Sequence, residues 1–162
     1  MWYFIVAGFL VGLDQGVKAA TRAALALGEQ VVLIPGVVGL TYVQNTGMAF
    51  SSFSGRTGLL TIVSLVATVG LAIVLAKNLV FTHPWGKWPL AVVMAGAAGN
   101  LIDRLFMGYV TDMIQVLFVN FAVFNIADCC VVLGGILVLC YVFFFWEKLE
   151  PKEPKGEKGL WE

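Results

Sequence analysis

An α-helical integral membrane protein of four spans, with short strands at the membrane surface, is the fold this sequence predicts. Two observations carry it. Hydrophobic residues fill 60% of the 162 positions and charged ones only 12%, giving a mean hydropathy of +0.91. A soluble domain of that size has no interior large enough to hide so much apolar surface. The apolar residues are also gathered into runs of about the 20 residues that a helix needs to cross a bilayer core. The formal net charge of zero leaves no basic patch and argues against nucleic acid as a partner.

The first run, about Trp2 to Ala20, is interrupted by Asp14, Gln15 and Lys18. It has neither a Lys/Arg-rich flank nor a small-residue cleavage site, so it reads as a retained span and not a removed signal peptide. In the loop that follows, "VVLIPGVVGLTYVQN" sets β-branched and aromatic residues around a Pro-Gly turn, which predicts short strands. The next stretch, "NTGMAFSSFSG", reads as a loop lying on the interface. The second run, about Gly58 to Ala76, has no charge at all. In the third, about Trp88 to Met107, Ala95 and Gly99, and Gly96 and Asn100, stand four apart, a spacing that lets helices approach closely.

The fourth run, about Val123 to Trp146, is mostly Val, Leu and Phe after Asp128. It holds Cys129, Cys130 and Cys140, which lack CxxC or zinc-ligand spacing and read as small apolar helix residues. His83 reads as a loop residue. Residues 1–148 are expected to form one domain, and 149–162, a mixture of Lys, Glu, Pro and Gly, a flexible cytoplasmic tail.

Four spans put both termini on one side. Lys77, Lys87, Lys148, Lys152, Lys155 and Lys158 then face Lys18, Arg22, Arg56 and Arg104 across the membrane, and the larger group predicts cytoplasmic termini. The first and third loops, with all four Asp, would face outward.

The acids are sorted by type. Apart from Glu29, every Glu lies at or beyond position 147, whereas Asp14, Asp103, Asp112 and Asp128 lie in or beside apolar segments. Asp14 and Lys18, at i and i+4, share a helix face and predict an ion pair near the outer end, where Lys can snorkel. Asn100 and Arg104 share a face in the same way. Arg104 is badly placed for its neighbour Asp103 and better placed for a carbonyl, a lipid phosphate or an Asp across the bundle.

Asp112 lies in "YVTDMIQV", of strand-like composition. Asp128 opens the fourth span, one turn after Asn125. A lone carboxylate at membrane depth costs about 2.5–3.5 kcal/mol on insertion scales. Two that face each other share a proton, so that one activates water as a base while the other protonates a carbonyl oxygen or leaving amine as an acid. Such hydrolysis needs no metal, no cofactor and no nucleophilic side chain. The residues alone leave three readings open: an aspartyl hydrolase, a proton- or ion-coupled transporter or channel subunit with an Asp relay, and a structural membrane subunit.

Five motifs in order, "DQGVK", "NTGMAFS", "GAAGNLIDR", "GYVTDMIQV" and "FNIADCC", resemble the signal peptidase II family, the bacterial lipoprotein signal peptidases, over nearly the whole chain. The resemblance implies an aspartyl endopeptidase of the bacterial cytoplasmic membrane with Asp112 and Asp128 as its catalytic pair. It implies that Asp14, Lys18, Asn45, Asn100, Asp103, Arg104 and Asn125 surround the site and hold substrate, inhibitor or the pair itself. It further implies a small extracytoplasmic β-cradle formed mainly by the first loop, about residues 28–57. The substrates would be prolipoproteins whose lipobox Cys carries diacylglycerol, cut just before that Cys, by a monomer among membrane lipids. Globomycin-type cyclic peptides would inhibit. Met48, where a smaller residue is frequent, and the Cys129-Cys130 pair depart from the family pattern without removing a proton-transfer group.

Overall fold

A computed structural model describes residues 2–47 and 56–150. Its elements run α1 (Trp2–Ala24), β1 (Gln30–Ile34), β2 (Val38–Asn45), α2 (Thr57–Lys77), α3 (Pro84–Met107), β3 (Val110–Val116), α4 (Ile126–Phe144) and α5 (Trp146–Leu149). The four long helices are those expected, each long and apolar enough to cross a membrane. Their ends differ from the hydropathy pattern for local reasons. α3 starts earlier because Pro84 opens it, where a missing N–H costs nothing. His83 is its N-cap and not a plain loop residue, with Nδ1 accepting from Trp85 N at 3.3 Å. α4 starts later because Phe124 is engaged in a bridge to Ile114 and Asn125 caps the helix.

α3 is the hub of the bundle. Some 44% of its most apolar stretch is buried, against 22% or less in the other three spans, and it packs on α1, α2 and α4. Glycine permits that closeness. A Cβ on Gly96 would collide with Ala127 O, and one on Gly134 would lie 2.8 Å from Val93 Cγ2. Lipid gives helices no hydrophobic reason to associate, so close packing and polar links do that work. The outward faces remain apolar, with Phe9, Ile62, Val66 and Phe143 all exposed to the surrounding medium.

β1 and β2 form the hairpin expected from the Pro-Gly turn. Val37 N donates to Ile34 O at 3.0 Å, and Gly36 has φ +71°, the left-handed value that the third position of a type II turn requires. β3 pairs with β2, giving an antiparallel sheet in the order β1-β2-β3. The first loop supplies two of the three strands, as expected, and residues 110–116 of the third loop complete the sheet. α1 and α3 end, and α2 and α4 begin, on the side of the sheet.

At the other end of the bundle the Glu150 carboxylate accepts from Thr82 N at 2.8 Å, Thr82 Oγ1, His83 N at 3.2 Å and Tyr141 OH at 2.8 Å. Glu150 is thus docked, Leu149 ends α5, and the rest of the expected tail lies outside the described residues. So do Met48 and most of the expected interfacial loop.

Candidate active site

Asp112 and Asp128 reach one place by different local routes. Asp112 sits on β3 opposite Val43 of β2, with Asn45 two residues along the same strand. Asn45 Nδ2 donates to Asp112 Oδ2 at 2.9 Å, while its own Oδ1 accepts from Gly47 N at 2.9 Å. Asp128 belongs to a capping box that starts α4. Asp128 N donates to Asn125 Oδ1 at 2.9 Å, and Asn125 N donates back to Asp128 Oδ2 at 3.1 Å. Such a box satisfies two N–H groups that a helix start leaves over.

Asn125 joins the two halves. Its Nδ2 donates to Asp112 Oδ1 at 2.6 Å and to Asn100 Oδ1 at 3.1 Å. Asn100 Nδ2 donates in turn to Asp128 Oδ1 at 2.8 Å. Among the described residues each carboxylate therefore accepts two N–H groups, and Asn125 touches both. Asp112 is only 2% exposed, whereas Asp128 is half-buried. Burial is the largest influence on the Asp112 carboxyl and raises it. The Asn45 hydrogen bond lowers it, the Asp128 charge raises it and the Asn125 hydrogen bond lowers it, leaving it at about 6.

Behind the pair lies a buried ionic cluster. Lys18 Nζ pairs with Asp14 Oδ2 at 2.9 Å and Asp103 Oδ2 at 3.2 Å, and donates to Asn100 Oδ1 at 3.0 Å. The i,i+4 pair is as expected, but Lys18 does not snorkel. It is 0% exposed, because α1 packs against α3 at this level and offers the ammonium two carboxylates in place of water. Asp14 Oδ1 accepts from Ala127 N at 2.9 Å, fixing α1 to the start of α4. Asp103 Oδ2 accepts from Thr111 N at 2.8 Å, fixing α3 to β3. A cluster with one cation and two carboxylates holds its shape only if its remaining lone pairs are satisfied, and no buried side-chain N or O among the described residues lacks a partner.

Arg104 takes the carbonyl that the sequence reading offered it, and a hydroxyl besides. It donates through Nη2 to Gly47 O at 3.4 Å and through Nη1 to Ser64 Oγ at 3.1 Å. It thereby pins the start of the loop after β2 to α2 and α3, and its charge acts on Asp128, Asp112 and Asp103.

All nine candidate residues thus gather at one end of the bundle. The sequence reading overlooked Gln15, whose Nε2 donates to Asp14 Oδ2 at 3.2 Å, Gly99 O at 3.0 Å and Asp103 Oδ1 at 3.0 Å. Its place beside Asp14 in a charge-poor span was the available signal. It also overlooked Arg22, which donates to Thr111 Oγ1 at 2.9 Å, and Ser64, which has no distinguishing context in its span.

Fold and site together define a class, the multi-pass membrane protein whose polar chemistry is concentrated at one end of the bundle around two carboxylates. The family described as Signal peptidase (SPase) II matches residues 6–144, and the chain belongs to that family of aspartic peptidases. The chain is similar to a lipoprotein signal peptidase of Enterococcus faecalis, 40% identical over 140 residues that make up 86% of each chain. It is 42% identical to one of Streptococcus pyogenes serotype M1 over 134 residues, 80% of this chain and 85% of the relative. A bacterial membrane enzyme solved by the in meso method at 2.3 Å superposes with a TM-score of 0.82, at 27% identity and 94% coverage of both chains. Membership in a peptidase family leaves the transporter and structural-subunit readings without support.

Proposed function

We propose that Asp112 and Asp128 are the catalytic pair with which this chain removes signal peptides from prolipoproteins, the activity that its family and the names of its relatives indicate. The observation that carries the pairing is Asn125, which hydrogen-bonds both carboxylates. Asp112, buried and with its carboxyl raised to about 6, takes the part of the acid, and half-buried Asp128 is the base that water reaches. Asp128 takes a proton from water as its oxygen attacks the scissile carbonyl carbon, and Asp112 gives its proton to the carbonyl oxygen. The tetrahedral intermediate collapses when the amide nitrogen is protonated by Asp128 and the C–N bond breaks, with Asp112 recovering its proton from the hydroxyl.

The substrate in this reading carries diacylglycerol on the Cys that follows the scissile bond. Its lipid stays in the bilayer, so the bond is presented where the spans meet the sheet and water has access. In this reading the site lies near the outer face of the cytoplasmic membrane with both termini cytoplasmic, the orientation that the distribution of Lys and Arg supports, and a single chain acts alone. Cyclic peptides of the globomycin type would compete for the same place. The activity is tested with a diacylglyceryl-prolipoprotein peptide and purified protein. Cleavage immediately before the lipidated Cys is expected, and cleavage of the unlipidated peptide at the same rate would overturn the substrate assignment.

A further inference from the structure

Three asparagine amides converge on the two carboxylates, and each presents its N–H₂ end. The two ends of an amide have nearly the same shape, so sterics do not choose between them. The choice falls to whatever donates to the amide oxygen. For Asn45 that donor is the backbone N–H of Gly47 at 2.9 Å, and for Asn125 it is the backbone N–H of Asp128 at 2.9 Å. Neither can reverse its polarity. For Asn100 there are two, Asn125 Nδ2 at 3.1 Å, held in that sense by the Asp128 N–H, and Lys18 Nζ at 3.0 Å, the one that carries a charge. An ammonium is a donor only.

Neutralising Asp14 and Asp103 accounts for two of the three bonds that Lys18 makes. It does not account for the third. We infer that Lys18 is a positioning residue of the reaction: by donating to Asn100 Oδ1 as the charged one of its two donors, it supplies the larger part of what fixes the direction of that amide and so keeps an N–H on Asp128. A reversed Asn100 would set its NH₂ against the ammonium and the Asn125 NH₂, and its carbonyl oxygen against the Asp128 carboxylate, three repulsions in a place where Lys18 has no water to turn to. The inference rests on the assignment of Asp128 as base, because only then does its hydrogen bonding govern turnover.

A double-mutant cycle on the full-length protein in lipid-detergent micelles, with a diacylglyceryl-prolipoprotein peptide, tests it. Lys18→Met is expected to lower kcat roughly tenfold, the scale of one hydrogen bond to a charged group, with KM within about twofold. In an Asn100→Ala background the same change should lower kcat by less than about twofold, since the group through which Lys18 acts is gone. Equal factors in the two backgrounds, or an effect confined to KM, would overturn the inference and leave Lys18 a purely structural cation.

Should Lys18→Met fail to fold, with Asp14 and Asp103 left uncompensated, the same cycle of Lys18→Met and Asn100→Ala carried out in an Asp14→Asn background gives the same comparison with one carboxylate fewer. Full activity in Asp128→Asn would instead overturn the catalytic pair itself, an outcome distinct from equal factors in the cycle.

Discussion

Asp112 is almost out of contact with solvent, yet among the described residues it meets amide donors and no cation directly. Burial raises its carboxyl to about 6 from 3.8. The sign follows from linkage. A carboxyl raised in the folded state contributes stability that is fully present below its unfolded value of about 3.9 and is lost as pH rises through about 6. In the proposed mechanism the same proton would set the basic limb of the pH–rate profile, as an apparent value belonging to the pair. Asn45 stabilises the ionised form, so Asn45→Ala should shift the basic limb of kcat/KM to higher pH. A limb that stays in place would show that Asp112 does not hold the proton.

Asp112 and Asp128 were legible in the sequence because a carboxylate beside apolar segments is expensive and so stands out. The burial of Lys18 was not legible. It depends on how closely α1 and α3 pack, and snorkelling is the better expectation for a lysine considered on its own helix.

Glycine decides how near the spans come to one another, and the prediction at this scale is a contrast between two glycines. A Cβ on Gly99 would lie 2.6 Å from Asp14 Oδ2, whereas one on Gly16 would meet nothing within 4 Å. Gly99→Ala should therefore displace Asp14 from Ala127 N, cost about 1–3 kcal/mol as an overpacked contact, and reduce cleavage. Gly16→Ala should leave activity unchanged and hold or raise Tm, as expected for a helix-interior Gly→Ala change worth about 0.5–1 kcal/mol. Thermal unfolding of both variants in detergent checks the pair, and equal losses would mean that packing at Gly99 is not specific. The spans and the Pro-Gly hairpin were visible from local composition alone. The pairing of β3 with β2 was not, since it joins the first and third loops across some 70 residues of intervening chain, and a strand's partner is not written in its own residues.

Across the whole molecule the chemistry lies at one end of the bundle and a clasp at the other. Burial alone would raise the Glu150 carboxyl, but hydrogen bonds from Thr82, Tyr141 and His83 N outweigh it and hold the group at about 2. A depressed carboxyl contributes stability that is present above its ordinary value and is lost as pH falls through about 2. Glu150→Gln should lower Tm at neutral pH and leave kcat unchanged, because the clasp joins α4 to the α2–α3 connection and touches no residue of the site. An altered kcat would mean that the two ends of the bundle are coupled.

Catalysis by the carboxylate pair is tested by cleavage of a diacylglyceryl-prolipoprotein peptide by Asp112→Asn and by Asp128→Asn. Each near-isosteric change leaves an amide where proton transfer needs a carboxyl, and should cut kcat by about 10²–10⁴-fold while the protein elutes and melts as a folded species. Wild-type cleavage by either variant would contradict the account.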